Sequence, residues 1–265
     1  MTTSDLNPRL DVERIQAKLN THRYGRSLTV LELTTSTNDD ARRAAEAGAP
    51  NGHVVCAEQQ TAGRGSQGRT WSCAAGTDLY LSIVDRPRLS LADLPPLTLA
   101  VGLGVADTVA ALCPSSRVEV KWPNDVWLDG GKCAGILVEA STMADALNAL
   151  VIGVGLNVNR TAFDPSAGGR ATSLRLRGAH ELERNAVLAA LLGAIEGWID
   201  RLQQLGTAAI TRALQPRLAM RGQVVQCDHV RGELLGITEG GALRIQTASG
   251  EQHMISGRLQ EDSHA

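Results

Sequence analysis

Apolar and polar positions in the first third of the chain predict strands that alternate with helices. Short β-rich runs, each bounded by polar or turn-forming residues, are SLTVLEL at residues 27 to 33, HVVCAE at residues 53 to 58 and LYLSIV at residues 79 to 84. The amphipathic segment DVERIQAKL, with Asp11 as its N-cap, predicts a short helix before the first run. A second helix, ARRAAEAG, follows that run and ends near Gly48.

The middle of the chain predicts one buried helix and then a meander of strands. Residues 97 to 113 are apolar nearly all round, which is typical of a helix inside a core. VEVKW, VWL, KCAGILVEA and ALNALVIGVGLNVN follow, with PND and DGG as tight turns between the first three. Residues 160 to 177 are interpreted as a glycine-rich loop, and residues 185 to 205 and 208 to 219 as two helices.

The end of the chain predicts a small β domain. VVQCDH, ELLGIT, ALRIQT and HMIS are short strand-like segments separated by glycines, a pattern that favours a small β-barrel. We therefore divide the chain into a larger domain at residues 1 to 219 and a small domain at residues 220 to 265. The expected fold class is α+β, with a mixed, largely antiparallel sheet flanked by helices in the larger domain.

Composition narrows the class of protein. At 265 residues, with 43% hydrophobic and 20% charged residues, the chain is typical of a soluble globular protein. It has no apolar run long enough to span a bilayer, and its polar start lacks the apolar core of a signal peptide. We therefore expect a cytoplasmic protein without a membrane role. The formal net charge of −2 argues against general nucleic-acid binding.

Cysteine and histidine usage gives no support for a metal site. The five cysteines are spread without a C-x-x-C pair, as expected in a reducing compartment. The six histidines lack the spacing of metal ligands. The sequence therefore predicts no metal centre built by the protein.

The stretch TAGRGSQGRTW contains Gly63, Gly65 and Gly68 in the G-x-G-x-x-G spacing of dinucleotide-binding loops. A parallel crossover from such a loop to the next strand needs about a dozen residues or more, and normally a helix. Only ten residues, RTWSCAAGTD, separate Gly68 from Leu79, and they show no apolar period. We therefore expect the flanking strands to be antiparallel neighbours, joined by a loop that is not a dinucleotide-binding turn.

Two interpretations of this glycine loop remain open. Its glycines let backbone amides approach a ligand, Arg64 and Arg69 suit a carboxylate or phosphate, and Trp71 offers a face on which a nucleobase can stack. The same residues also fit a solvated turn whose tryptophan returns to the core. On the loop alone, the solvated turn is the slightly favoured interpretation.

A second polar cluster lies in KWPNDVWLDGGKCAGILVE. Lys121, Asn124, Asp125 and Lys132 flank a turn and the start of a strand, where loops on a rigid sheet can converge on a ligand. Gly135 in that strand would let a ligand lie against bare backbone. PND and DGG are also ordinary turns, and exposed lysines are commonly only solvated, so each residue alone is weak support.

Five motifs in order make the chain resemble the biotin protein ligases. They are STND at residues 36 to 39, AEQQTAGRGSQGRTW at 57 to 71, KWPND at 121 to 125, KCAGILVE at 132 to 139 and GVGLNVN at 153 to 159, with ATSL at 171 to 174 as a weaker match. The resemblance extends from about Asp11 to Leu259. It implies the catalytic fold of biotin and lipoate ligases, which is similar to that of class II synthetases, followed by a small SH3-like domain.

The resemblance implies a two-step reaction. The biotin carboxylate attacks the α-phosphorus of ATP to give biotinyl-5′-AMP and pyrophosphate. A lysine of a biotin carboxyl carrier domain, from acetyl-CoA carboxylase or a related enzyme, then takes the biotinyl group and AMP leaves. Two anions meet in the first step, so cations are needed, and Mg²⁺ on the ATP phosphates is expected to help. One short helix before the first strand is too little for a helix-turn-helix, so we expect no nucleic-acid partner. The enzyme is expected to be a monomer or homodimer.

The resemblance also implies roles for individual residues. The implied catalytic residues are Lys132, Arg64 and Asp125, with Lys132 at the biotin carboxylate and Asp125 orienting or deprotonating the incoming lysine. The implied biotin-binding residues are Ser36, Thr37, Asn38, Gln60, Gly63, Arg64, Gly65, Lys132 and Gly135. The implied ATP- or adenylate-binding residues are Arg69, Trp71, Lys121, Asn124 and Asn157.

Ser66 departs from the family pattern G-R-G-R-x-G-R-x-W, in which an arginine stands at this position. Serine removes one cation from a loop that covers the acyl-adenylate, and a charge-assisted contact is usually worth about 1.5 to 3 kcal/mol. We hypothesise that this chain holds its intermediate less tightly than relatives with the arginine, unless Arg69 or Gln67 compensates.

Two other functions remain open. A lipoate ligase or acyltransferase would share the catalytic fold, although the KWPND and GRG-x-x-GR-x-W motifs argue against it. A biotin or nucleotide sensor without catalysis would use the same pocket, although Lys132, Arg64 and Asp125 are all present.

Overall fold

A seven-stranded sheet lies at the centre of the larger domain. The structure is a computed structural model, and it describes residues 9–87, 94–143, 146–164 and 170–262. The strands of this sheet are β1 (Leu28–Thr34), β2 (Val54–Gln60), β3 (Leu79–Asp85), β4 (Val118–Lys121), β5 (Asp125–Leu128), β6 (Gly131–Met143) and β7 (Ala146–Leu156). Their order is β1-β2-β3-β7-β6-β5-β4, and every neighbouring pair is antiparallel except β1 with β2. The mixed, largely antiparallel sheet is therefore confirmed.

The two strands that flank the glycine loop are direct neighbours. β2 and β3 run antiparallel, with Val54 opposite Ile83 and Ala57 opposite Tyr80. The short connection between them had predicted this pairing, because it is too short for a parallel crossover. The prediction is confirmed, and the dinucleotide-binding interpretation of the loop is excluded.

Helices cover both faces of the sheet. They are α1 (Val12–Gln16), α2 (Thr37–Glu46), α3 (Leu94–Leu112), α4 (Arg184–Leu205) and α5 (Thr207–Leu214). Helix α2 packs on β2, β3 and β7, whereas α3 packs on β4, β5 and β6 and on the helices α4 and α5. Successive residues of β2 point to opposite faces, so Val54 and Cys56 enter the large core while Val55 packs with Ala41 and Ala45 of α2.

Helix α3 is the core helix that the sequence predicted, although it begins three residues earlier. The expectation that no apolar run reaches the length of a bilayer was wrong: among the described residues α3 is the one helix with the length and apolarity to cross a membrane, and most of it is buried in the protein. Its close packing on α4 requires Gly104, because a Cβ at that position would lie 2.8 Å from the Cα of Ile195. The apolar length of α3 is thus used in packing against α4 and the sheet.

The start of α2 and the end of α5 also differ from the sequence prediction. Helix α2 begins at Thr37, with Ser36 at the N-cap position, so STND forms its first turn and does not precede the helix. Helix α5 ends at Leu214 and not near residue 219. Pro216, which has no amide hydrogen to continue the helix, lies in a 3₁₀ turn directly after it.

Other predicted elements keep their type. Asp11 caps α1 by accepting from the amide of Arg14, although α1 ends at Gln16 and is shorter than expected. Of the predicted loop, residues 160–164 and 170–177 contain no helix or strand beyond an isolated bridge and a 3₁₀ turn at Arg175–Arg177. Residues 165–169 lie outside the described part of the chain.

The tail forms a second antiparallel sheet of five strands. They are β8 (Val224–Cys227), β9 (Val230–Ile237), β10 (Leu243–Thr247), β11 (Gly250–Met254) and β12 (Leu259–Glu261), in the order β11-β10-β9-β8-β12. The buried indole of Trp122 donates to the carbonyl of Gly241 at 3.1 Å and so joins this sheet to the turn between β4 and β5. The division at residue 219 stays a prediction.

Candidate functional site

A cavity of about 510 Å³ lies between the first turn of α2, the glycine loop and the paired strands β6 and β7. Twelve of the predicted site residues line it: Ser36, Thr37, Asn38, Gln60, Arg64, Gly65, Arg69, Trp71, Asn124, Lys132, Gly135 and Asn157. A second cavity of about 330 Å³ adjoins it and is lined by Lys121 and Asp125 as well as by Arg69 and Asn124. Gly63 lines neither cavity; a Cβ at this position would lie 2.8 Å from the carbonyl oxygen of Trp71 and 3.0 Å from the side-chain amide of Gln60. The structure therefore brings the predicted residues to one place.

Uncharged polar groups form one end of the larger cavity. The side-chain oxygen of Gln60 accepts from the backbone amide of Thr37 at 2.8 Å and from its hydroxyl at 3.1 Å. Ser82, buried on β3, places its hydroxyl 2.8 Å from the Thr37 hydroxyl and 2.6 Å from Oδ1 of Asn38. A side chain at Gly153 would meet that same Oδ1 at 2.2 Å, so the glycine makes room for Asn38. Hydrogen-bonding groups of this kind can hold a neutral polar ligand.

The indole of Trp71 lies against a pair of glycines in the floor of the cavity. Gly135 on β6 and Gly155 on β7 are opposite one another in the ladder, and a Cβ on either would lie 2.5 to 2.7 Å from the Trp71 ring. The loop is held there by a hydrogen bond of 2.8 Å from the Trp71 amide to the carbonyl of Gly63. The Nε1 of Trp71 is buried and has no hydrogen-bond partner among the described residues. The lack of side chains at these two glycines therefore leaves the space that the flat indole ring occupies.

Lys132 and Asp125 form an ion pair beside this ring. The Nζ atom of Lys132 lies 2.6 Å from Oδ1 of Asp125 and 5.2 Å from the centre of the Trp71 ring. Main-chain hydrogen bonds to Arg170 and Thr172 fix the start of β6, so the lysine leaves a rigid strand. The pairing places a cation and a carboxylate together at the boundary of the two cavities.

Ser66 holds the tip of the glycine loop to the turn after β4. Its hydroxyl oxygen accepts from Nη2 of Arg69 at 2.9 Å and from Nδ2 of Asn124 at 3.1 Å, and its carbonyl accepts from Nε of Arg69 at 3.1 Å. Asn124 in turn donates to the carbonyl of Ile136 at 2.8 Å. The serine thus connects the loop to the sheet with hydrogen bonds, in a position where the family pattern has a cation.

Arg64 is held by two carboxylates. Its Nη2 atom lies 2.9 Å from Oδ1 of Asp39 on α2 and 2.9 Å from Oε2 of Glu139 on β6. Neither acid was predicted as a site residue. Glu139 ends a quoted motif, but nothing in the sequence indicates that it meets Arg64, which lies 75 positions away.

Four cations surround the smaller cavity and the boundary with the larger one. Lys121 lines the smaller cavity, Lys132 lines the larger one, and Arg69 and Arg258 line both. Burial lowers the pKa of Lys121, and the nearby charges of Lys132, Arg69 and Arg258 lower it further, against the opposing effect of Asp125. Arg258 lies between β11 and β12 in the C-terminal domain, so no local sequence pattern indicated that it would line this cavity. The arrangement suits a polyanion such as a triphosphate.

A buried arginine supports the remaining wall. Arg160 pairs with Asp78, which is fully buried, and donates to the carbonyl of Ser72 at 3.0 Å. Burial raises the pKa of Asp78, and the charge of Arg160 opposes that rise. Phe163 lies with its ring centre 5.0 Å from the Arg160 guanidinium. Arg160 and Phe163 line the larger cavity and were missed by the sequence prediction.

Comparisons with known proteins show which proteins this chain is similar to. The model of the Biotin/lipoate A/B protein ligase family matches residues 30–157. The chain is 37% identical to a biotin–[acetyl-CoA-carboxylase] ligase of Mycobacterium tuberculosis, over 92% of each chain. It is 33% identical to the ligase of the same name from Paracoccus denitrificans, over 84% of this chain and 95% of that protein. The fold is similar to that of a biotin protein ligase from Aquifex aeolicus solved in complex with biotin and ATP, with a TM-score of 0.79 and 27% identity over 89% of this chain and 98% of the other.

Proposed function

We propose that this chain, which belongs to the biotin protein ligase family, makes biotinyl-5′-AMP from biotin and ATP and then transfers the biotinyl group to a lysine of a biotin carboxyl carrier domain. The family membership rests on the relatives at 33% and 37% identity over most of both chains. They are named as biotin–[acetyl-CoA-carboxylase] ligases, and this chain is an enzyme of that kind. The two steps, the residues and the carrier are the proposal.

The observation that carries the proposal is the change of polarity along the larger cavity. One end has the uncharged hydrogen-bonding groups of Gln60, Thr37 and Asn38. The floor is glycine backbone and indole, and the other end has Lys132 and Arg69. Biotin has the same sequence of properties, namely a neutral polar ring system, an aliphatic chain and a carboxylate. We therefore place its ureido head at Thr37 and its carboxylate at Lys132.

In the first step a carboxylate oxygen of biotin attacks the α-phosphorus of ATP. A new oxygen–phosphorus bond forms, the bond to the bridging oxygen breaks, and pyrophosphate leaves with the electron pair. Lys132 and Arg64 reduce the repulsion between the two anions, and Arg69, Lys121 and Arg258 hold the phosphates. Mg²⁺ would enter with the nucleotide and share its charge, since no cluster of three acidic, His or Cys side chains occurs in the described residues.

The adenylate is proposed to lie with its purine near Trp71. Asn124 and Asn157 donate their side-chain amides to the carbonyls of Ile136 and Thr172, at 2.8 and 2.9 Å. They therefore shape the purine side of the cavity as fixed groups. The aromatic face of Trp71 supplies the stacking surface.

In the second step the amine of the carrier lysine attacks the acyl carbon of the adenylate. The nitrogen–carbon bond forms, the mixed anhydride bond breaks, AMP leaves with the electron pair of that bond, and the proton that the amine loses passes to the Asp125 carboxylate. Asp125 is placed to orient the incoming amine, since it lies in the smaller cavity and already pairs with the ammonium of Lys132. The smaller cavity is thus the proposed approach for the carrier lysine.

Transfer of labelled biotin to a purified carrier domain tests the proposal, with lipoate and octanoate as competing acids. ATP-dependent labelling by biotin alone supports it. Labelling by lipoate would favour the lipoate branch of the same family. Binding of biotin without any adenylate or labelled carrier would favour a sensor. A mobility-shift assay with operator DNA checks the expected lack of a nucleic-acid partner.

A further inference from the structure

Glu139, in the second half of β6, contacts the wall of the larger cavity, and the proposed mechanism gives it no role. Its Oε2 atom accepts from Nη2 of Arg64 at 2.9 Å and from Nδ2 of Asn38 at 2.7 Å. Asp39 places Oδ1 at 2.9 Å from the same Nη2. The guanidinium group of Arg64 is therefore held from two sides, by a strand and by a helix.

The position of Glu139 is fixed from inside the fold. Asn38 is only 4% exposed, and its Oδ1 faces the hydroxyl of Ser82 at 2.6 Å, so its Nδ2 is directed to Glu139. Gly153 leaves the space that this amide occupies. The acid is thus anchored by a buried group, whereas Arg64 itself, on a glycine loop, is 38% exposed.

The charges of this cluster are balanced. Arg42 of α2 lies 3.4 Å from Oε2 of Glu139 and 3.4 Å from Oδ1 of Asp39. Two carboxylates therefore face two arginines. Removal of the charge on Glu139 would loosen Arg64 without removing the cation itself.

We propose that Glu139 is a positioning residue which, with Asp39, fixes the guanidinium group of Arg64 for adenylate formation. This inference rests on the proposed function. A cation on a flexible loop stabilises a transition state best when its position is set beforehand, because ordering it during the reaction would raise the barrier. Glu139 supplies that order and does not itself touch the reacting atoms.

The test is Glu139→Gln, assayed by biotin-dependent exchange of labelled pyrophosphate into ATP. The amide oxygen can still accept from Asn38, so the substitution removes mainly the charge. We expect kcat for exchange to fall about tenfold, the effect of losing one charge-assisted hydrogen bond, with little change in the KM for ATP. The matched control is Asp40→Asn on the same helix, since Asp40 contacts Thr34 and Arg43 and not Arg64. The control should exchange at the wild-type rate.

A double-mutant cycle distinguishes positioning from a general structural effect. If Glu139 acts through Arg64, the variant with both Arg64→Gln and Glu139→Gln should be no slower than Arg64→Gln alone. If the two substitutions lower kcat independently, so that the double variant shows the product of the two single effects, the proposal is overturned. Biotin-dependent pyrophosphate exchange by the wild-type protein tests the proposed function itself. No biotin-dependent exchange by the wild type would refute the function, whereas normal exchange with an unaffected Glu139→Gln variant would refute only the positioning role.

Thermal unfolding guards against a folding defect. The midpoint of Glu139→Gln should lie within about 4 °C of the wild type. If it lies lower, Asp39→Asn replaces it, because this carboxylate is on the outer side of α2 and is 32% exposed. That variant should lose about threefold in kcat, since one of the two carboxylates remains. An unchanged rate would then overturn the proposal.

Discussion

Ser66 offers a prediction that separates two accounts of how the glycine loop is ordered. The sequence suggested that serine, in place of the family arginine, weakens the loop. The structure shows that the serine hydroxyl accepts from both Arg69 and Asn124, at 2.9 and 3.1 Å. Ser66→Ala removes both contacts and leaves the backbone unchanged.

The magnitude follows from the two hydrogen bonds that are lost. The bond from Arg69 is charge-assisted and the bond from Asn124 is neutral, which would give roughly 2 to 4 kcal/mol if both were fully shielded from water. The Arg69 bond is exposed, so water can replace part of it and we expect about 1 to 2 kcal/mol. If loop closure retains the adenylate, its dissociation should speed up by about 5- to 30-fold.

The assay follows labelled biotinyl-5′-AMP formed on the enzyme and chased with excess unlabelled biotin. Labelling of lysines on a bystander protein gives a second readout, since released adenylate reacts with free amines. Thr61→Ala is the control, because it removes a hydroxyl at the base of the same loop that donates to the Thr34 carbonyl at 3.4 Å. A dissociation rate for Ser66→Ala equal to that of the wild type would refute the account. The hypothesis from the sequence predicts that Ser66→Arg slows dissociation of the adenylate, because the added cation would stabilise the closed loop by more than the two lost hydrogen bonds do. An unchanged dissociation rate together with unchanged bystander labelling would refute that hypothesis.

Three further substitutions address the chemistry, the cavity and the fold. Lys132→Ala should abolish adenylate formation, and near-normal pyrophosphate release by that variant would remove Lys132 from the mechanism. Gly153→Ala would place a Cβ 2.2 Å from Oδ1 of Asn38, so we expect the KM for biotin to rise by about tenfold or more, as for the loss of one or two bonds to the ligand. Burial raises the pKa of Asp85 to about 6 from its ordinary value of 3.8. As the pH rises from 3.8 to about 6, Asp85 is deprotonated in the unfolded chain but keeps its proton in the folded protein. The free energy of unfolding therefore falls as the pH rises, by up to about 3 kcal/mol at pH 7. Asp85→Asn should therefore be more stable than the wild type at pH 7 and equal to it below pH 4 in urea unfolding, and a difference that does not change with pH would contradict this reasoning.

Strand pairing could be predicted from the sequence because it depends on local features. The ten residues between Gly68 and Leu79 are too few for a crossover, so the antiparallel pairing of β2 and β3 followed. Helix ends were less predictable. Pro216 was overlooked as a terminator of α5, and the polar first turn of α2 was left outside the predicted helix.

The predicted site residues were found together because their motifs lie at ends of strands and in loops that meet at the same edge of the sheet. The residues that were missed are joined to the site only by tertiary structure. Glu139 meets Asn38 across 101 positions of sequence, and Arg258 enters from between β11 and β12. No local pattern distinguishes such an acid or arginine from one that is simply solvated.

A continuous chain of hydrogen-bonding side chains links the uncharged end of the larger cavity to Arg64. It runs through Gln60, Thr37, Ser82, Asn38, Glu139 and Arg64. A ligand head that hydrogen-bonds at Thr37 therefore contacts the same network that orders the cation used on the carboxylate. An acid without such a head, such as octanoate, can fill the apolar floor but makes no contact with the start of that chain. For this reason we expect octanoate to be activated more slowly than biotin, even where its carboxylate reaches Lys132. The selectivity for biotin should therefore appear in kcat as well as in KM.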